Sequence, residues 1–373
     1  MKIGFEAKRV FHNTTGLGNY SRDLVRIMST FYPENDYYLY NPKQSQKELF
    51  QANEANVFEK NPQGFFNQLL TNTWRRFGIV QDLKKDQVDL FHGLSGEIPV
   101  GLKKNDIPSI VTIHDLIFLR YPEYYSLIDR TIYTRKFKHA ANAADLVVAI
   151  SEQTKQDIID FLGIDSKKIK VIYQGCHAAY KQEFSESEKA AVLKKYQLPE
   201  KFILNVGTIE PRKNAWSIVK AIRYLDIHLV LVGRETAYAK KIRAYLAQEK
   251  LEHKVSFLKG LSKEELAILY QSAQVFVYPS RFEGFGIPII EALFSKTPVI
   301  TSRGSCFPEA GGPGSTYIDP DNFEELKQAI EQVLNHPQIA KKMANEGFNY
   351  VQKFQDQLIA EEWMKTYTQV LKH

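Results

Sequence analysis

Ten short apolar runs recur along the chain with amphipathic stretches of helical period between them, and this alternation restricts the fold more than any single motif. The first set is Lys2–Phe5, Val88–His92, Ser109–Ile113, Leu146–Ala149 and Lys170–Tyr173. The second is Phe202–Val206, His228–Val232, Val255–Phe257, Val275–Val277 and Pro298–Thr301. They are rich in Val, Ile and Leu and do not alternate inward and outward, the pattern of parallel strands buried on both faces. Between them lie stretches such as Asn19–Thr30, Ser151–Leu162, Trp216–Tyr224, Lys240–Glu249 and Lys263–Ser272. Strand and helix in turn predict an α/β fold of doubly wound sheets. A chain of 373 residues is long for one core, so two Rossmann-like domains are expected. The pattern stalls between Cys176 and Glu200, which puts the domains at 1–180 and 181–354. Ligands of such sheets bind at the carboxyl ends of the strands, so a central cleft faced by both domains is the expected site.

Composition narrows the class by exclusion. With 44% hydrophobic and 25% charged residues the chain is neither disordered nor fibrous. The net charge of +6 is mild and gathers in no block, so nucleic acid is not an expected partner. Cys176 and Cys306 stand far apart, and Met1-Lys2 leads straight into an apolar strand; a cytoplasmic setting is expected. Apolar runs such as Leu146–Ile150 are too short to cross a bilayer. Asp319-Pro320-Asp321 is the only D-x-D, in a turn, and no His or Cys cluster has ligand spacing. No metal and no other cofactor is expected. Neither a G-x-S-x-G elbow nor a P-loop is present.

Four segments carry chemistry. Arg281-Phe282-Glu283-Gly284-Phe285-Gly286-Ile287-Pro288-Ile289-Ile290-Glu291-Ala292 follows an apolar strand. Its glycines allow close approach of a ligand, and Pro288 suits a first helical turn. The N–H groups of Phe285, Gly286 and Ile287 would then form an anion site, with Glu283 and Glu291 reaching two parts of one elongated ligand. A capped Gly-rich loop with a surface Glu is the plainer alternative. Arg212 and Lys213 follow Phe202–Val206 in Gly207-Thr208-Ile209-Glu210-Pro211-Arg212-Lys213-Asn214. The pair suits a diphosphate, or is merely solvated. Gly16-Leu17-Gly18 opens a helix, as a phosphate or sugar contact or as a simple turn; with Ser21 in place of the third Gly it is no dinucleotide fingerprint. His114-Asp115 ends a strand and could position sugar hydroxyls or handle a proton, or be structural. His92 lies in a stretch that reads as a turn.

The Glu283-to-Glu291 segment resembles the E-x7-E signature of glycosyltransferase family 4, retaining enzymes of the GT-B fold. The resemblance covers nearly the whole chain: Gly16-x-Gly18, His114-Asp115, Ile150-Ser151-Glu152, Val171–Gly175, Gly207–Asn214, Leu231-Val232-Gly233 and Pro308-Glu309 fall in the expected order. It departs at Ala292–Thr297 and at Tyr173-Gln174-Gly175, where the family commonly has other small residues and Pro-Asn-Gly. The resemblance implies catalytic roles for Arg212 and Lys213 on the donor diphosphate in place of a metal. It implies Glu283 on the donor sugar and His114 near the anomeric carbon. It places Phe285, Gly286, Ile287 and Gly233 at the donor, Glu291 on the ribose, Gly16 and Gly18 at the phosphates, and backbone near Leu261 at the base. It also implies that a terminal helix, 355–373, packs back on the first domain.

The expected reaction is metal-independent transfer of a hexose with retention, to a glycan or lipid-linked glycan. The chain most resembles bacterial mannosyltransferases of polysaccharide assembly, which points to GDP-mannose; UDP-glucose and UDP-N-acetylglucosamine are the alternatives. Rivals are an epimerase or phosphorylase of the same fold and a catalytically silent partner subunit. Trp74-Arg75-Arg76 and Arg130–His139 combine basic and aromatic residues. They fit peripheral contact with an anionic membrane at its inner face, or a solvated helix face.

Overall fold

The computed structural model describes residues 1–43, 49–52 and 54–372. It divides into two compact units, Met1–Gly175 with Phe354–His373, and Cys176–Lys353. Residues 176–180 and Phe354 thus lie on the other side of the boundaries drawn from sequence. Tyr180 packs edge-on to Tyr270 in the second unit, with ring centroids 5.7 Å apart, and Phe354 packs on Tyr173 in the first at 5.5 Å.

Unit 1 carries β1 (Lys2–Glu6), β2 (Asp36–Tyr40), β3 (Val57–Lys60), β4 (Leu90–Gly93), β5 (Ser109–Ile113), β6 (Leu146–Ala149) and β7 (Ile169–Val171). They form one sheet in the order β3-β2-β1-β4-β5-β6-β7, and every pairing is parallel. Unit 2 carries β8 (Phe202–Val206), β9 (His228–Val232), β10 (Val255–Leu258), β11 (Val275–Tyr278), β12 (Val299–Ser302) and β13 (Thr316–Ile318). Its order is β10-β9-β8-β11-β12-β13, again parallel throughout. Helices flank both sheets because each parallel connection must cross over a face. The expected doubly wound α/β architecture is borne out in both units.

The central strands are apolar on both faces. All five residues of β5 are buried, as are all four of β11, and each fully buried Leu, Ile, Val or Phe contributes about 1.5–3 kcal/mol. Helix Gly16–Phe31 turns Tyr20, Leu24, Val25, Ile27 and Met28 inward, and helix Ala215–Ile222 buries Ile218, Val219 and Ile222.

Helix Asp356–Leu371 belongs to unit 1. Trp363 and Tyr367 are fully buried on it. They pack on His92 of β4, whose Nδ1 lies 3.0 Å from the Tyr367 hydroxyl and whose ring is 4.7 Å from that of Trp363. His92 is therefore a core strand residue rather than part of a turn. Asp356 pairs with Arg26 at 2.8 Å.

In each sheet the strand order reverses once, between β1 and β4 and between β8 and β11. Crossovers leave that point in opposite directions and open a crevice at the carboxyl ends, where such sheets take ligands.

Candidate active site

In unit 2 the two strands flanking the reversal deliver the charged residues. β8 ends at Val206, and the following loop carries a short turn, Pro211–Lys213. β11 ends at Tyr278, and the next residues lead to Glu283. One oxygen, Glu283 Oε1, lies 2.8 Å from Arg212 Nη1 and 2.6 Å from Lys213 Nζ. The same oxygen accepts from the Tyr278 hydroxyl at 3.0 Å and from Ser280 Oγ at 2.8 Å. Arg212 also donates to the Phe282 carbonyl at 2.6 Å and to Glu210 at 2.7 Å. Lys213 reaches the Tyr278 hydroxyl at 2.5 Å and sits over its ring.

Burial alone would raise the Glu283 carboxyl, but the charges of Lys213 and Arg212 and their hydrogen bonds outweigh it and hold it down at about 2. Burial pulls the Arg212 guanidinium down and the charges of Glu283 and Glu210 more than reverse this, leaving it raised. Tyr278 is pushed well up by burial and then by Glu283, so it remains a neutral donor.

Tyr278, Ser280 and Glu210 were not singled out by the sequence reading. Their signal was slight: a Tyr closing an apolar strand and a Ser two residues on read simply as a turn.

Gly286 is the N-cap of helix Ile287–Phe294 at φ 107°, a conformation that suits glycine. Phe285 is buried beside it, and Ile287 begins the helix, with Pro288 in its first turn. Glu291 lies one turn inside, buried, and accepts from the Tyr270 hydroxyl at 2.9 Å. Gly233 directly follows β9, and Leu261 lies in the loop between β10 and helix Lys263–Ser272. All of these lie in the loops that follow the strands of unit 2 or in the helix Ile287–Phe294 that follows β11.

Unit 1 holds the other expected residues. His114 follows β5, is buried, and donates Nε2–H to the Leu94 carbonyl at 2.9 Å. Its ring meets Tyr20 edge-on at 4.5 Å. Burial pushes the imidazole down to about 4, against the lift from that carbonyl. It is a neutral group whose Nδ1 keeps its lone pair. Asp115 accepts from the Ile117 N–H at 3.1 Å, the turn-capping role. Gly16 starts helix Gly16–Phe31 with open space around its Cα, whereas a Cβ on Gly18 would lie 1.9 Å from the Asn13 carbonyl oxygen. The close approach at Gly18 is thus to the chain's own backbone.

Trp74 departs from the expected exposed basic-aromatic patch. It is buried and donates to Asp82 at 2.7 Å. Asp321 of the D-x-D turn pairs with Arg281 at 2.6 Å. No group of three or more His, Cys, Asp or Glu suited to a metal occurs among the described residues, and none of their helices is long and apolar enough to cross a membrane.

Two family models match the sequence: "Glycosyltransferase Family 4" over residues 16–180 and "Glycosyl transferases group 1" over residues 188–350. The chain is similar to O-antigen chain mannosyltransferase B of Escherichia coli, 27% identical over 354 residues, which cover 90% of this chain and 91% of that protein. It is similar to O-antigen chain mannosyltransferase RfbU of Salmonella typhimurium, 32% identical over 63% of each chain. Among solved structures, Anabaena HepE in complex with UDP-glucose superposes with a TM-score of 0.80 at 19% identity, covering 99% of this chain and 100% of that one, and so has the same fold.

Proposed function

This chain is a glycosyltransferase of the GT-B fold, related to the family 4 and group 1 transferases, and from that premise we propose that it transfers a hexose from a nucleotide sugar to a glycan or lipid-linked glycan, with retention and without a metal. The observation that carries the reading is the convergence of Arg212 and Lys213 on Glu283 at the strand reversal of unit 2. Breaking the bond from the sugar's anomeric carbon to the phosphate oxygen releases a nucleoside diphosphate and builds negative charge on it. Two fixed cations and the N–H groups at Phe285–Ile287 are suited to meet that charge. Glu283, ionised and held by four donors, is suited to orient sugar hydroxyls and to offset positive character on the ring. The acceptor hydroxyl forms the new bond at the same carbon, and its proton passes to the departing phosphate. Glu291, Gly233 and Leu261 take the ribose and base in this reading, and His114, Gly16 and Gly18 keep the donor roles expected of them.

The mannosyltransferase relatives speak for mannose as the sugar, with GDP-mannose as its donor in this reading. The UDP-glucose in the Anabaena protein, a donor named outright, speaks more directly for the alternative, a UDP-sugar donor. The test is binding and slow hydrolysis of GDP-mannose, UDP-glucose, UDP-N-acetylglucosamine and ADP-glucose in EDTA, with the product anomer read by NMR. One donor bound and turned over in EDTA with retention is the expected result. Activity that EDTA abolishes and Mg2+ restores overturns the metal-free part. A folded chain that binds no donor overturns the enzyme and leaves a silent partner subunit.

A further inference from the structure

Unit 1 has a strand reversal of its own, and a cavity of about 850 Å3 lies there. Glu6, the last residue of β1, and Glu97, in the loop after β4, both line it. So do five Lys and Arg side chains, Lys8, Arg75, Arg76, Arg135 and Lys136, with His139 beside them. The two carboxylates are already engaged: Glu6 holds Arg75 at 2.8 Å, and Glu97 holds Arg75 and Lys136, each at 3.2 Å. Among the described residues, Lys8, Arg76 and Arg135 form no ion pair with a carboxylate. Burial and then the Arg75 charge push the Lys8 ammonium down, the condition of a cation short of an anion. The cavity therefore carries a net excess of positive charge within a volume suited to a small ligand.

Its rim has a second character. Helix Leu127–Ala143 places Ile128, Ile132, Arg135 or Lys136, and His139 along one face, at helical spacing. The stripe begins apolar and ends basic over about 16 Å. Ile128 is 72% exposed and Ile132 45%, and Phe77 is 50% exposed. Phe77 and Ile132 line the cavity itself, so exposed apolar surface borders the charged volume.

We propose that this cavity holds the phosphate-bearing head of a lipid-linked acceptor, with the apolar chain running out over Ile132, Ile128 and Phe77. The word acceptor rests on the transfer proposed above; the recognition of an anionic head next to an apolar tail rests on the cavity itself. Arg76, Arg135 and Lys8 supply charge-assisted hydrogen bonds to phosphate oxygens.

Geranylgeranyl diphosphate is the probe, titrated against the full chain carrying Arg212→Ala and Lys213→Ala, so that the cations of unit 2 do not report. Geranylgeraniol and inorganic diphosphate are titrated in parallel, each expected to bind roughly tenfold or more weakly. Adding Arg76→Ala with Arg135→Ala should weaken the lipid diphosphate by roughly tenfold or more, at an unchanged melting temperature. Ile128→Ser with Ile132→Ser should weaken the lipid diphosphate and leave inorganic diphosphate unaffected. Equal binding of the uncharged alcohol, or indifference to the loss of both arginines, overturns the site. Inorganic diphosphate binding as tightly as the lipid form overturns the lipid source and points to a soluble phosphate. GDP-mannose and UDP-glucose binding to the unaltered chain separates the two proposals. Donor binding without lipid diphosphate binding removes this site and leaves the transfer. The converse removes the transfer and leaves an anionic-lipid site.

Discussion

Glu283 Oε1 takes donors from Arg212, Lys213, Tyr278 and Ser280, so the carboxyl is ionised across the whole working pH range and its position is set by more than one contact. Removing either cation takes away charge stabilisation that a departing diphosphate needs, a loss of about 3 kcal/mol or two orders of magnitude in rate. Arg212→Ala and Lys213→Ala should each lower single-turnover transfer by roughly a hundredfold, with circular dichroism showing the fold retained. Near-normal turnover in both would remove the role proposed for them. The sequence named these three charged residues from their type and their place after apolar strands. It did not indicate Tyr278 or Ser280 as partners, since the turn after β11 decides where those hydroxyls point and no helical or strand period encodes it.

At the scale of the element, the start of helix Gly16–Phe31 depends on a backbone contact. An added methyl at Gly18 would lie 1.9 Å from the Asn13 carbonyl oxygen, which cannot yield as a flexible side-chain tip would. Gly18→Ala should cost about 1–3 kcal/mol, read as a lower urea midpoint. Gly16→Ala, with nothing within 4 Å of the new methyl, is the control and should be neutral or stabilising. A tolerated Gly18→Ala would show that the helix start can shift. Strands were legible where both faces are buried: β5, β6, β8 and β9 have the limits read from sequence. β2, β3 and β13 were missed. They lie at or next to sheet edges and are partly exposed, with burial patterns in which intermediate or exposed positions interrupt the apolar run. Asp36–Tyr40, rich in tyrosine, and the short Thr316–Ile318 carry no continuous apolar signal.

At the scale of the whole molecule, His92 ties β4 to the last helix across 275 residues of sequence, and its protonation would disturb that tie. Burial and then His114 push His92 from 6.5 to about 3, and burial pushes His114 from 6.5 to about 4. Below pH 6.5 the unfolded chain takes up protons that the folded chain refuses. The stability these groups contribute is therefore complete above 6.5 and is lost as pH falls toward 4 and 3, at about 1.4 kcal/mol per pH unit for each histidine. Urea unfolding at pH 7, 6 and 5 should show falling midpoints, with a shallower fall in His92→Gln; a flat profile would contradict the burial assigned to both rings. Glu283 adds to this loss only below its ordinary value of 4.5. The fold class is legible in the linear order of residues, because burial on both faces of a strand is written in consecutive residues and two sets of such strands with helices between them admit few arrangements. The same order shows which side chains can carry charge. Which of them meet is settled by packing in three dimensions. Arg212 lies 71 residues from the Glu283 it pairs with, and Lys8 lies well over a hundred from Arg135, which lines the same cavity. Neighbours at such separations follow from strand order, and strand order comes from crossovers rather than from any local period.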